Sequence, residues 1–165
     1  MAGKALTIEQ TLALLAATPR RIAELTAGMT ASQLRSAPVP EEWSAIDVLA
    51  HLRACADARG DCIPVILAED SPTFLAVNPR TWLKKTDYLE LDFHSSFRAF
   101  ATQRAELLSI LEALAPEDWS RSAIVTGAGA PLERTVLFYA QWVAIHERPH
   151  VKQVEAIVNV WRLRR

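Results

Sequence analysis

Apolar residues return every three or four positions in four long stretches of the chain, the spacing of helices with one buried face. The first, over 7–29, would bury Leu12, Leu15, Ile22 and Leu25; Thr18-Pro19 inside it resembles a helix start, so a kink or a break is expected there. The second opens on "EEWSAIDV", where Ser44 suits an N-cap, Asp47 sits at N3, and Trp43 and Val48 hold the places of a hydrophobic staple. It is predicted to run over 45–68, with Pro64 as an internal bend. The third, over 86–114, carries Phe93, Phe97, Phe100, Leu107 and Leu111 on one side. The fourth begins near Leu132 and continues almost to the end, with Val136, Ala140, Val143, Val154, Val158 and Trp161 in its stripe. "EDSPTFLAVNPRTW" and "TGAGAP" read as loops, and only 123–125 could be extended. Four amphipathic helices of this length predict an all-α four-helix bundle.

Length changes the picture little: 165 residues suit one domain spanning 1–165, large enough to bury a core without staples. A net charge of −1 supplies no field to draw in nucleic acid or an anionic membrane. No apolar run approaches the ~20 residues of a membrane span, and "MAGKALTIEQ" lacks the apolar stretch of a secretory signal, so a cytoplasmic location is expected. Cys55 and Cys62 fall in one predicted helix, roughly 10 Å apart along its axis and beyond disulfide reach. They read as reduced, buried small hydrophobes.

The candidate chemistry lies in the histidines. His146 and His150 stand at i and i+4 within "HERPH", close enough to share one ion. His51 lies at the edge of the second helix's stripe, so all three can point into the bundle, and three protein ligands leave a coordination position for water or substrate. His94 has no such partner and reads as a surface residue. "HERPH" also fits the H-E-x-x-H zinc-protease pattern, but Gln153 and Ala156 stand where the extended motif needs glycine and histidine, and no strand offers an edge to a peptide. A zinc protease is therefore not expected. Pro149 removes an amide and crowds the carbonyl of Ile145, which predicts a kinked but continuous helix.

Glu147, on the buried stripe, is a candidate general base or partner of a metal-binding histidine, or else the ion-pair partner of Arg59. Arg59 could instead bind a substrate anion. Cys55, one turn after His51, is read as core packing rather than as a ligand or nucleophile. Arg104 and Tyr88 are read as solvated.

With these residues in place, the chain resembles the DinB-like superfamily of damage-inducible-type bundle proteins. The marks are "EEWSAIDVLAHL" (41–52), "FRAFATQRAELLSILEAL" (97–114), "EDWSR" (117–121) and "HERPHVKQVEAI" (146–157). The first and last are the specific ones, and Pro149 is the visible departure. The resemblance implies a four-helix bundle with a divalent metal (zinc, nickel, iron or manganese) on His51, His146 and His150, and a homodimer. It further implies transfer or isomerisation using a low-molecular-weight thiol, while the open coordination position itself suits any metal-dependent reaction on a small-molecule substrate, hydrolysis included. The alternative is a non-catalytic bundle that holds metal or ligand.

Overall fold

The computed structural model describes residues 5–164. Its first helix, α1 (Ile8–Thr26), opens on a capping box: the Thr7 hydroxyl accepts from the Gln10 amide at 3.1 Å and the Gln10 side chain accepts from the Thr7 amide at 3.0 Å. Of the kink or break expected at Thr18-Pro19, the break is absent. Pro19 has no amide to give to the Leu15 carbonyl, which would leave a buried acceptor unpaired. Arg104 Nη1, from another helix, donates to that carbonyl at 3.0 Å, and the helix runs on. After the short α2 (Ala31–Arg35), α3 (Ala45–Cys55) starts as expected at Ser44, whose amide and hydroxyl both donate to the Asp47 carboxylate, at 2.8 and 2.7 Å.

The second helix of the sequence reading is not uniform. Residues Ala56–Gly60 form a π-helical turn, closed by Asp61 N donating to Ala56 O at 3.3 Å, before α4 (Cys62–Ala68) resumes. Pro64 lies in the first turn of α4, where a missing amide is tolerated.

The segment read as a loop contains β1 (Thr73–Leu75) and α5 (Pro79–Leu83), the latter capped by Asn78 accepting from Arg80 N at 2.9 Å. Helix α6 (Phe93–Glu112) begins at Asp92, later than the expected residue 86, because the Asp92 carboxylate caps the Ser95 amide at 2.9 Å. A 3₁₀ turn (Pro116–Ser120) leads to β2 (Ser122–Thr126) and β3 (Leu132–Thr135). Helix α7 (Val136–Leu163) is capped by Thr135, and the residues expected to begin it belong instead to β3. The three strands form one small sheet, with β1 parallel to β2 (Phe74 opposite Val125) and β2 antiparallel to β3 (Ala123 opposite Arg134).

The bundle is built from α1, the α3–α4 rod, α6 and α7. It buries two apolar clusters. One gathers Ile22, Leu49, Leu52, Phe100 and Val158; the other gathers Leu15, Ile63, Ile66, Leu111 and Val136. Each helix contributes to both, so α7 threads the whole length of the core. Among the described residues no helix is long and apolar enough to cross a membrane.

Candidate metal centre

Two helical turns bring the site together. His51 and Cys55 are one turn apart on α3, and His146 and His150 are one turn apart on α7, so each pair shares a face. Pro149 does not interrupt α7, as expected. The three imidazoles converge: ring centroids lie 5.2 Å apart for His51 and His146, 4.7 Å for His51 and His150, and 4.8 Å for His146 and His150. His94 is exposed and elsewhere.

The donor atoms are closer than the rings. His51 Nε2 and His146 Nε2 are 3.3 Å apart, and Cys55 Sγ lies 3.5 Å from the first and 3.9 Å from the second. In a tetrahedral site with metal–nitrogen bonds of about 2.0–2.1 Å and a metal–sulfur bond of about 2.3 Å, ligand edges are roughly 3.3–3.4 Å between nitrogens and about 3.5–3.6 Å between nitrogen and sulfur. The observed set fits that figure with one edge slightly long. A group of His51, Cys55 and His146 therefore has the separations and the chemistry to hold a divalent cation.

The protonation states agree. Burial, and then the neighbouring His150, holds both His51 and His146 down at about 4, so each is a neutral imidazole with a lone pair to offer at neutral pH. His146 Nδ1 is buried without a hydrogen-bond partner, so the cluster is not satisfied from within. His150 is oriented by Gln153: Nδ1 lies 3.0 Å from the amide oxygen, which can only accept, so Nδ1 donates and Nε2 is the ring atom left for a ligand role. Burial pushes the Cys55 thiol up to about 12, opposed in part by the Arg59 cation.

Two indoles flank the cluster. Trp142 stacks on His146 at 4.6 Å, and Trp43 lies 5.3 Å from His51 and stacks on His150 at 6.2 Å. Trp43, expected as one half of a staple, thus stands against the histidines, 38% exposed. The cluster opens onto a cleft of about 420 Å³, whose other walls include Arg59, Asn78 and Arg80.

Three expectations need correction. Glu147 is not paired with Arg59. Its carboxylate is 2% exposed and bound by both terminal nitrogens of Arg104, one of them at 2.9 Å. Arg104, expected in solvent, is 3% exposed, because it reaches inward to serve both Glu147 and the carbonyl freed by Pro19. Glu147 does not line the cleft. Arg59 lies 5.3 Å over the Trp142 ring, and its Nη1 donates to Val77 O at 3.1 Å. Tyr88 is likewise engaged, its hydroxyl donating to Asp57 Oδ2 at 2.6 Å; Trp82 Nε1 and Gln103 Nε2 donate to the same carboxylate at 2.9 and 3.0 Å. Cys55 is buried, as expected, yet it also belongs to the cluster; its one-turn spacing from His51 was the available signal.

The same sequence features have a wider context. The profile of the DinB superfamily matches residues 14–154. The chain belongs to the DinB superfamily. Among solved structures it is similar to YfiT from Bacillus subtilis, described as a probable metal-dependent hydrolase with an unusual four-helix bundle topology. That likeness has a TM-score of 0.76 at 16% identity and covers 95% of this chain and 90% of the other, so it shows a shared fold. No curated protein matches the sequence at a significant level.

Proposed function

We propose that this DinB-superfamily protein is a divalent-metal-dependent enzyme acting on a small molecule, with the ion held by His51, His146 and His150. The observation that carries the reading is the 3.3 Å approach of two Nε2 atoms from different helices, both neutral and both bordering an open cleft. A divalent ion there supplies Lewis acidity and makes a water or thiol more acidic, which suits hydrolysis or thiol transfer. The chain's own residues prepare the site. Gln153 fixes the tautomer of His150, the α3 and α7 backbones fix the spacing, and Trp43 and Trp142 shield one side of each imidazole from water. Glu147 acts at one remove: its pair with Arg104 anchors α7 next to His146, and it takes no proton from a substrate. The reading is supported by the description of YfiT as a probable metal-dependent hydrolase.

Elemental analysis of untagged protein tests this reading, with ester and thiol-conjugation assays on metal-loaded and chelated samples. Stoichiometric metal and a metal-dependent rate are expected; equal rates in both samples would remove the proposal.

A second reading is favoured by Cys55 Sγ at 3.5 Å from His51 Nε2: a closed site in which the thiolate joins the imidazoles and the metal serves stability. Cobalt substitution separates the two. A strong near-ultraviolet thiolate-to-cobalt band that vanishes in Cys55→Ser supports the closed site, and its absence from the wild type supports the open one.

A further inference from the structure

The charge around the cleft is one-sided. Apart from the histidines, the charged side chains lining it among the described residues are Arg59 and Arg80, with no carboxylate. Both cations are near enough to the imidazoles to oppose their protonation, Arg80 acting on His51 and Arg59 on His146. Their bonding differs in a useful way. Arg59 is half-buried and oriented: Nη1 is held by the carbonyls of Val77 (3.1 Å) and Ala58 (3.4 Å), and the guanidinium lies over Trp142. Its Nε and Nη2 donors have no partner among the described residues. Arg80 is exposed at the start of α5, and none of its side-chain donors has a partner there either. The bundle's other inward arginine, Arg104, shows the contrast: it is matched by a carboxylate and a carbonyl. A guanidinium offers five donors in a fixed fork suited to oxyanions. Two such forks beside one cleft that no carboxylate among the described residues lines leave donors open to an anion that displaces water; Asp57 and Asp61 line a neighbouring cleft with Arg59 but make no ion pair with it. The indoles of Trp43 and Trp142 give that molecule a flat apolar wall.

We propose that the substrate is a small organic oxyanion, a carboxylate or phosphate ester, whose acidic group is taken by Arg59 and Arg80 while its body lies between the indoles with the reacting group toward the histidines. This rests on the enzyme reading above and names its substrate class. Arg80 is then a specificity-determining residue, and Arg59 is a pre-oriented anchor whose main-chain bonds spare part of the ordering cost of binding.

The test uses chelated protein, so that no anion is captured by a metal. Binding of benzoate, phenyl phosphate and the neutral isostere benzamide is measured by tryptophan fluorescence and calorimetry on wild type, Arg80→Gln and Arg59→Gln. An oxyanion is expected to bind about tenfold more tightly than benzamide, and Arg80→Gln should remove most of that preference while leaving the affinity for benzamide unchanged. The tighter of the two oxyanions identifies the acidic group. The Arg80 side chain is exposed and makes no bond among the described residues, so its variant keeps the test valid if Arg59→Gln proves unstable. Equal binding of benzoate, phenyl phosphate and benzamide, or a full preference retained in Arg80→Gln, overturns the proposal. Metal content of the same preparations before chelation separates the two readings. Full metal without charge discrimination sinks this inference alone, and discrimination in a protein that never carried metal sinks the metal reading.

Discussion

His146 and Glu147 are adjacent in α7, yet they serve polar clusters of opposite kind. Glu147 meets Arg104 in a closed core where donors match acceptors: carboxylate to guanidinium, guanidinium to the spare carbonyl of Leu15. The junction lies where both apolar clusters meet, since Phe100 and Leu111 flank Arg104 along α6, and Val143 and Val154 flank Glu147 along α7. His146 meets His51 and Cys55, groups alike in chemistry, and keeps one buried nitrogen without a partner. Buried polarity that is complete holds helices in register. Buried polarity made of convergent lone pairs, beside a cleft, is incomplete without something from outside the chain.

The comparison breaks most readily at the closed pair. Glu147→Gln should cost about 3–5 kcal/mol in urea unfolding, because it strands the Arg104 cation in the core. Arg104→Met with Glu147→Leu in a Pro19→Ala background, where residue 19 again donates to the Leu15 carbonyl, should recover most of that loss; a combination as unstable as the single variant would mean the pair is not the source. At the open cluster, His51→Ala should abolish stoichiometric metal by elemental analysis. In chelated protein it should cost only about 1–2 kcal/mol, the range of an ordinary buried substitution. A loss equal to that of Glu147→Gln would erase the distinction.

Acid should separate the clusters further. The unfolded chain binds protons at His51 and His146 near the ordinary value of 6.5, whereas the folded protein does so at these two only near 4. The stability of metal-free protein should therefore be complete above pH 6.5 and decline as pH falls toward 4, with a shallower decline in His51→Ala. Thermal melts across that range check the sign. The smallest effect belongs to Gln153→Ala, which should weaken metal affinity about tenfold by freeing the His150 tautomer, with little change in the melting temperature of chelated protein.

The helices were legible because each carries a 3.6-residue stripe and several carry sharp caps; Ser44 with Asp47 is the clearest case. Pro19 misled because the residue that accommodates it, Arg104, comes from a distant helix. β1 and β3 were missed because strands of three and four residues owe their shape to pairing rather than to alternation. In the site, the histidines were visible from spacing and stripe position. The partner of Glu147 was not, since Arg59 sits on the rod packed beside α7 whereas Arg104 reaches across the bundle from α6, and only packing decides which one turns inward. Arg80 lay in a stretch read as a loop, where periodicity says nothing about direction.

The wide turn at Ala56–Gly60 lets one rod obey two masters. Above it, α3 is phased to present His51 and Cys55 to α7; below it, α4 is phased to bury Ile63 and Ile66. Wound as regular α-helix with every residue kept, that turn would swivel α4 by about 100° and turn both isoleucines out of the interior, whereas excising one residue would regularise the ladder and leave them facing inward. The extra residue therefore works as a coupling joint, decoupling the demands of chemistry at one end of the rod from those of packing at the other.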